Sequence, residues 1–169
     1  SVLEAGCGTG RWTSKFLKYA NNIDAYEKDS QLIKYATEKY GKNKKVNFIN
    51  KSITNINLKK KFDVIISIAL LHYLNNKEYN SFFDNIKKIS RKNSILIFRE
   101  SMSIEYDFEL FMFYSKILKT QYSAHYRSIE NIKDKLGKQF DLIDEHKIFN
   151  PEIQKPETYQ NLVIFRKTT

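Results

Sequence analysis

At 169 residues with a net charge of +10, the chain can bury a full core as one domain, needing neither disulfides nor a structural metal. Its one cysteine, Cys7, excludes an internal disulfide and fits a reducing, cytoplasmic compartment. No apolar run is long enough to span a bilayer, and the lysines are scattered with Asn and Ile along the whole chain, which favours a compositional bias over a polyanion-binding face.

The first segment, SVLEA (1–5), reads as a short strand. Because the chain opens inside it, the sequence reads as a truncation or an ordered fragment, with a signal or a helix as the upstream alternatives. GRWTSKFLKYA (10–20) puts Trp12, Phe16, Leu17 and Tyr19 at helical spacing. NIDAYE (22–27) is a second strand. SQLIKYATEKYG (30–41) is a helix, with Ser30 as its N-cap and Gly41 past its end. VNFIN (46–50) is a third strand, and the continuously apolar FDVIISIAL (62–70) a fourth, buried on both faces. NKEYNSFFDNIKKIS (76–90) is an amphipathic helix and SILIFRE (94–100) a fifth strand. Strands and helices alternate up to this point, which predicts βαβ units and a parallel sheet covered on both faces.

The last third departs from that alternation. EYDFELFMFYSKILKT (105–120) reads as a strongly aromatic helix and SIENIKDKLGKQ (128–139) as another. FDLIDEHKIF (140–149) and YQNLVIFRK (159–167) are strands joined by a loop containing Pro151 and Pro156. So short a connection favours an antiparallel pair.

Three glycines sit between the first strand and the first helix, in the pattern E-x-G-x-G-x-G. Glycine accepts positive φ and lets a ligand approach the backbone, and a helix N-terminus adds free N–H groups. A dinucleotide fingerprint would put its third glycine at position 11, but Arg11 stands there and Gly10 comes one place early. Glu27 closes the second strand, where a cofactor with a ribose wants a carboxylate to accept from its two hydroxyls.

VLEAGCGTG resembles motif I of the class I S-adenosylmethionine-dependent methyltransferases. The resemblance continues through YEKDSQLIKYA, FINKSITNI, FDVIISIALLHYL and ILIFRES, covering residues 1–100. It implies an α/β, Rossmann-like, doubly wound seven-stranded sheet, mostly parallel with the last strand antiparallel. It also implies one methyltransferase domain over 1–169, lacking its N-terminal helix, with S-adenosylmethionine as cofactor and S-adenosylhomocysteine as product.

Carried over residue by residue, the resemblance sets Gly6, Cys7 and Gly8 against the methionine part of the cofactor, with Gly10 starting the helix. Glu4 orients the turn, Glu27 takes the ribose hydroxyls and Lys28 lies near the adenine. Ser52 stands where the family often has an acid for the adenine amino group, a departure, and Ile53 packs on the adenine face. Ser67 and Ile68 pass beside the methionine chain. Arg11 is placed either on the methionine carboxylate or in a surface ion pair.

Methyl transfer needs a base only when the acceptor must lose a proton. The catalytic candidates are His72 and Glu100, at the ends of the fourth and fifth strands, together with His125 and Arg127. His72 reads as a base or as a packed histidine. Glu100 reads as a holder of an amine or hydroxyl, or as an ion-pair partner of Arg99. His125 is a second candidate base. Arg127 reads as a bidentate anion binder or as a loop anchor. Phe108, Phe111, Met112 and Tyr114 would line the acceptor side or bury their helix on the sheet, and Tyr73 reads as packing. His146 is an exposed strand residue, and the histidines lack metal-ligand spacing.

The segment SIALLHYL is unlike the Asn/Asp-Pro-Pro-Tyr of amino-type DNA methyltransferases. Cys7 lies in the glycine turn, away from any cytosine-attacking position. The leading acceptor is therefore a small molecule methylated on O or N, such as a sugar or a secondary metabolite of bacterial metabolism. RNA or protein methylation, or cofactor binding without catalysis, is the alternative.

Overall fold

Val2–Ala5 is buried along its whole length and forms β1, at the middle of a seven-stranded sheet. The computed structural model describes residues 1–115, 119–148 and 157–169. The strands that follow β1 are β2 (Ile23–Glu27), β3 (Val46–Asn50), β4 (Phe62–Ile68), β5 (Ser90–Ser103), β6 (Phe108–Ser115), β7 (Thr120–Tyr126), β8 (Phe140–Ile148) and β9 (Thr158–Lys167). The helices are α1 (Thr13–Phe16), α2 (Ser30–Tyr40), α3 (Asn76–Ile89) and α4 (Ile129–Leu136).

The sheet order is β3-β2-β1-β4-β5-β9-β8. β1 to β5 are mutually parallel, and β9 runs antiparallel to both β5 and β8. The last strand is thus the reversed one, as the sequence led us to expect. The chain leaves β1 toward β2 and β3, then returns to β4 on the other side. That reversal opens a crevice at the carboxyl ends of β1 and β4, where ligands bind in open α/β sheets.

Alternation along the strands divides the core in two. Leu3, Ile65, Leu96, Phe98 and Phe165 face α3 and α4, packing with Phe82, Phe83 and Ile86. Val2, Ile23, Ala25 and Ile66 face the opposite way, against Ile33 of α2 and the α1 segment. The aromatic centre is close: Phe82 and Phe83 meet edge to face at 5.2 Å, and Phe98 lies 6.1 Å from each.

The helices start where side chains satisfy their first N–H groups. Asp29, one residue before the expected Ser30, caps α2 by accepting from Gln31 N and Leu32 N. Asn75 and Glu78 form a reciprocal capping box on α3. Ser128 caps α4, and Gly137 ends it at φ +67°. α1 is shorter than its pattern: Phe16 O accepts from both Tyr19 N and Ala20 N, the shared geometry of a helix end.

The aromatic stretch 105–120 is not a helix. β6 and β7 make a separate antiparallel hairpin that pairs Phe108 with Tyr126, Glu109 with His125 and Leu110 with Ala124. Aromatic residues suit strands, and acids and aromatics already alternate in EYDFE. A bulge between Leu110 and Phe113, with Met112 at φ +48°, then slips the pattern by one. That slip set Phe108, Phe111 and Tyr114 three residues apart and imitated a helical stripe. Residues 116–118 of the expected helix, the end of the expected strand at 149 and the loop with Pro151 and Pro156 lie outside the described residues.

Candidate active site

The crevice at the ends of β1, β2 and β4 is a cavity of about 370 Å³, within the usual range for small-molecule sites. One wall is Gly6, Gly8, Glu27, Lys28, Ser52 and Ile53. The other is Ala69, Leu70, Tyr73 and Leu74 from the turn after β4.

The turn after β1 needs glycine for two different reasons. Gly8 sits at φ +53°, and a Cβ there would meet nothing within 4 Å, so its backbone is open to a ligand. Gly10 sits at φ +75°, and a Cβ there would lie 2.9 Å from the Tyr40 ring. Gly10 is therefore a packing residue under α2, not a contact of the cavity. The position of a Gly6 Cβ is 3.1 Å from Leu70, so this glycine lets the two walls approach.

Glu27 sits at the junction. Its Oε2 accepts from Gly8 N at 3.0 Å and its Oε1 from Asp29 N at 2.9 Å. Asn50 Nδ2 donates to the carbonyls of Glu27 and Lys28, fixing the strand end. A carboxylate offers about four acceptor positions, so two backbone donors leave room for two hydroxyls.

Four expected cofactor contacts lie elsewhere. Cys7 is buried in the core on the α2 side, and burial, with the charges of Glu4 and Glu27, pushes its thiol up. Arg11 is exposed, its guanidinium 5.8 Å from the centre of the Trp12 ring. Ser67 is fully buried and donates to Glu100 at 2.7 Å. Ile68 packs against the α2-side core. Ser67 has no free face and Ile68 leans on the α2-side core, so β4 meets the cavity only past its end, by Ala69 at φ +55° and by Leu70. Glu4, behind the turn, accepts from Thr13 Oγ1 at 2.5 Å. Burial outweighs that bond and pushes its carboxyl up to about 7.

The catalytic candidates resolve into different parts. Glu100, 1% exposed, accepts from Leu70 N at 2.9 Å, Leu71 N at 3.0 Å and the Ser67 hydroxyl. Its oxygens shape the turn after β4 instead of facing an acceptor, and the expected pair with Arg99 is absent among the ion pairs of the described residues. Arg127 has the geometry of the second of its two readings. Its Nη1 donates to Leu71 O at 3.2 Å, its Nη2 to Leu74 O at 3.0 Å and to Asn76 Oδ1 at 2.8 Å, and the guanidinium lies 3.9 Å over the Tyr79 ring. With its fork taken by carbonyls, it is a loop anchor.

His125 Nδ1 lies 2.8 Å from Glu109 Oε1 across the hairpin, away from the main cavity. His72 is beside the crevice, 8% exposed, with Nδ1 3.6 Å from Glu100 Oε2. His72, Tyr79, Glu100, His125 and Arg127 border a cavity of about 10 Å³, the size of one water. The buried His72 Nδ1 and Tyr79 Oη have no hydrogen-bond partner among the described residues.

Sequence reasoning missed Asp29, Leu32 and Lys51 on the wall with Lys28 and Ser52, and took Tyr73 for packing although it is 52% exposed and lines the cavity. Asp29 carried a signal, being the better-placed cap before the second helix. Among the described residues no group of three or more His, Cys, Asp or Glu could hold a metal ion. No helix there is long and apolar enough to cross a membrane.

A family model described as a methyltransferase domain matches residues 2–93. Malonyl-[acyl-carrier protein] O-methyltransferase 2 of Ilyobacter polytropus is 30% identical over 99% of this chain, and the chain spans 62% of that relative's length. The N-methyltransferase NodS from Bradyrhizobium japonicum, solved with S-adenosyl-L-homocysteine, superposes with a TM-score of 0.76 at 17% identity. That match covers 99% of this chain and 78% of NodS. The Burkholderia thailandensis 1,6-didemethyltoxoflavin-N1-methyltransferase, solved with its substrate and S-adenosylhomocysteine, superposes at 0.75 with 18% identity. There 99% of this chain and 71% of that one are covered. At these identities the solved structures speak for the fold, and it is the same doubly wound sheet.

Proposed function

Because the chain belongs to the class I S-adenosylmethionine-dependent methyltransferase family, we propose that it methylates an oxygen or nitrogen of a small-molecule acceptor in the cytoplasm. S-adenosylmethionine would supply an activated methyl group, so the protein's task is to align the reactants and exclude water.

The observation that carries this reading is Glu27 at the mouth of the glycine turn. It is held by Gly8 N and Asp29 N, with acceptor capacity left for the two ribose hydroxyls. Gly8 leaves the adjoining backbone bare. Ile53 offers an apolar surface to the adenine. Ser52 Oγ is 2.8 Å from Thr54 Oγ1 and accepts from Thr54 N, so its adenine contact is a neutral one, weaker than an acid's. Lys28 and Lys51 border the same end. Gly6, Ala69 and Leu70 flank the methionine end.

His72 stands at the acceptor side of the turn and takes the acceptor's proton. Glu100 is a positioning residue that holds the turn and faces His72 Nδ1. Among the relatives, NodS and the Burkholderia thailandensis enzyme are N-methyltransferases, and the Ilyobacter polytropus enzyme is an O-methyltransferase. The acceptors named among them, 1,6-didemethyltoxoflavin and a malonyl group on its carrier protein, support a small-molecule or acyl-group acceptor over RNA.

Calorimetry with S-adenosylhomocysteine tests the site. Binding that is lost or weakened about tenfold in Glu27→Ala supports it. Equal binding by both proteins removes the ribose assignment.

A further inference from the structure

The cavity of about 10 Å³ beside His72 is where the turn after β4, helix α3, strand β5 and the end of the hairpin meet. Most polar side chains around it are already engaged. Glu100 accepts from Leu70 N, Leu71 N and the Ser67 hydroxyl. The Arg127 fork donates to Leu71 O, Leu74 O and Asn76 Oδ1. Ser101 Oγ accepts from Gln160 Nε2. His125 Nδ1 makes no hydrogen bond, but the Glu109 carboxylate lies 2.8 Å from it as a charge partner.

Two groups are left. Tyr79 is 2% exposed and His72 8%, and Tyr79 Oη and His72 Nδ1 are both sealed from solvent with no hydrogen-bond partner among the described residues. Burying two such groups unpaired is costly. A space of about one probe sphere holds a water when polar atoms line it, and this cavity has room for one between a hydroxyl and an imidazole nitrogen. Burial pushes the Tyr79 phenol up, so it stays a hydroxyl that can both donate and accept.

The surroundings also choose the proton's place on His72. Glu100 Oε2 is 3.6 Å from Nδ1, too far for a direct hydrogen bond, yet its negative charge favours an N–H at Nδ1 over a lone pair. Free imidazole side chains favour the proton on Nε2, so an Nδ1–H form has to be held by a partner. With Nδ1 sealed in, Nε2 is the nitrogen left for an acceptor.

We propose that one buried water joins Tyr79 Oη to His72 Nδ1, and that Tyr79 acts through it to hold His72 as the Nδ1–H tautomer. The Nδ1–H donates to the water oxygen, and the Tyr79 hydroxyl is the water's second partner. The Nε2 lone pair is then free to take a proton as the acceptor's O–H or N–H bond breaks. Tyr79 is a positioning residue, since it does not border the cofactor crevice. The use made of Nε2 rests on the methyltransferase reading above; the water and the tautomer do not.

The test uses the full chain with 15N-labelled histidine. Long-range 1H–15N NMR at about pH 8, above the ordinary histidine range, reads the tautomer of each ring. The expected result is His72 mainly as Nδ1–H in the parent and mainly as Nε2–H in Tyr79→Phe, which keeps the ring and removes the oxygen. The exposed His146 should read alike in both. A crystal structure of the parent should show a water within about 2.7–3.2 Å of Tyr79 Oη and of His72 Nδ1. His72 as Nε2–H in the parent, an unchanged Nδ1–H in Tyr79→Phe, or a parent cavity with no water would each overturn the proposal. Binding of S-adenosylhomocysteine is scored separately: its failure removes the methyltransferase reading and leaves the tautomer result standing.

Discussion

Glu100 and Arg127 grip the same short turn from opposite polarities. The carboxylate accepts the N–H groups of Leu70 and Leu71, and the guanidinium donates to the carbonyls of Leu71 and Leu74. One comes from β5 and the other from the end of the hairpin, so the turn that walls the cofactor crevice is fixed by two elements distant in sequence. Buried backbone groups left without partners are costly. Arg127→Ala should lower stability by roughly 3 kcal/mol, and Arg127→Lys, which cannot fork to two carbonyls, should recover less than half of that. Urea unfolding measures both. A loss within about 0.5 kcal/mol for the alanine variant would mean the carbonyls find water without cost.

The last two glycines of the turn, Gly8 and Gly10, should separate folding from binding. Gly8→Ala adds a methyl into open space at positive φ, costing about 1–2 kcal/mol of backbone strain, and its methyl intrudes on the crevice. Gly10→Ala drives a methyl into Tyr40 and Ala36 of α2. S-adenosylhomocysteine affinity should therefore fall more in Gly8→Ala, and thermal stability more in Gly10→Ala. The reverse ranking would contradict the assignment of their roles.

Glu27→Ala should weaken S-adenosylhomocysteine about tenfold or more, a loss of about 1.4 kcal/mol. Glu27→Gln keeps one acceptor oxygen and should fall between alanine and the parent. Titration calorimetry decides; a glutamine variant weaker than alanine would point to a steric effect in place of a lost hydrogen bond.

Glu4 gives a pH dependence with a definite sign. Its folded pKa of about 7 lies above the ordinary 4.5, so between those values the folded state holds a proton that the unfolded state has released. Its contribution is complete below pH 4.5 and is lost as pH rises to 7. The total is on the order of 3 kcal/mol. Glu4→Gln removes this dependence. Unfolding midpoints near pH 5 and near pH 8 should differ more in the parent than in the variant, and parallel profiles would exclude a protonated Glu4.

The parallel part of the sheet was legible because short apolar runs such as FDVIISIAL alternate with helical patterns along the chain. The glycine turn and Glu27 were legible because they sit at fixed places relative to β1 and β2. What failed depended on direction. Ser67 and Ile68 are at the right height but inside the sheet, and only the next two residues turn outward. Glu100 and Arg127 were recognised as unusual polar residues, yet sequence carries no sign of whether a buried charge faces a ligand or a neighbouring backbone. The hairpin failed through Met112, whose left-handed conformation inserts one residue and shifts the period of everything after it.

The anchoring of the crevice turn by Arg127 sets a limit on redesign. Exchanging the β6–β7 hairpin for one of different specificity would, with a cut placed after Arg127, carry away the group that holds Leu71 and Leu74. A transplant confined to 108–124 leaves that clasp and the Asp107 bonds to Ser128 and Asn131 in place. The hairpin could then be varied on one side of the clasp with the glycine turn and Glu27 untouched on the other.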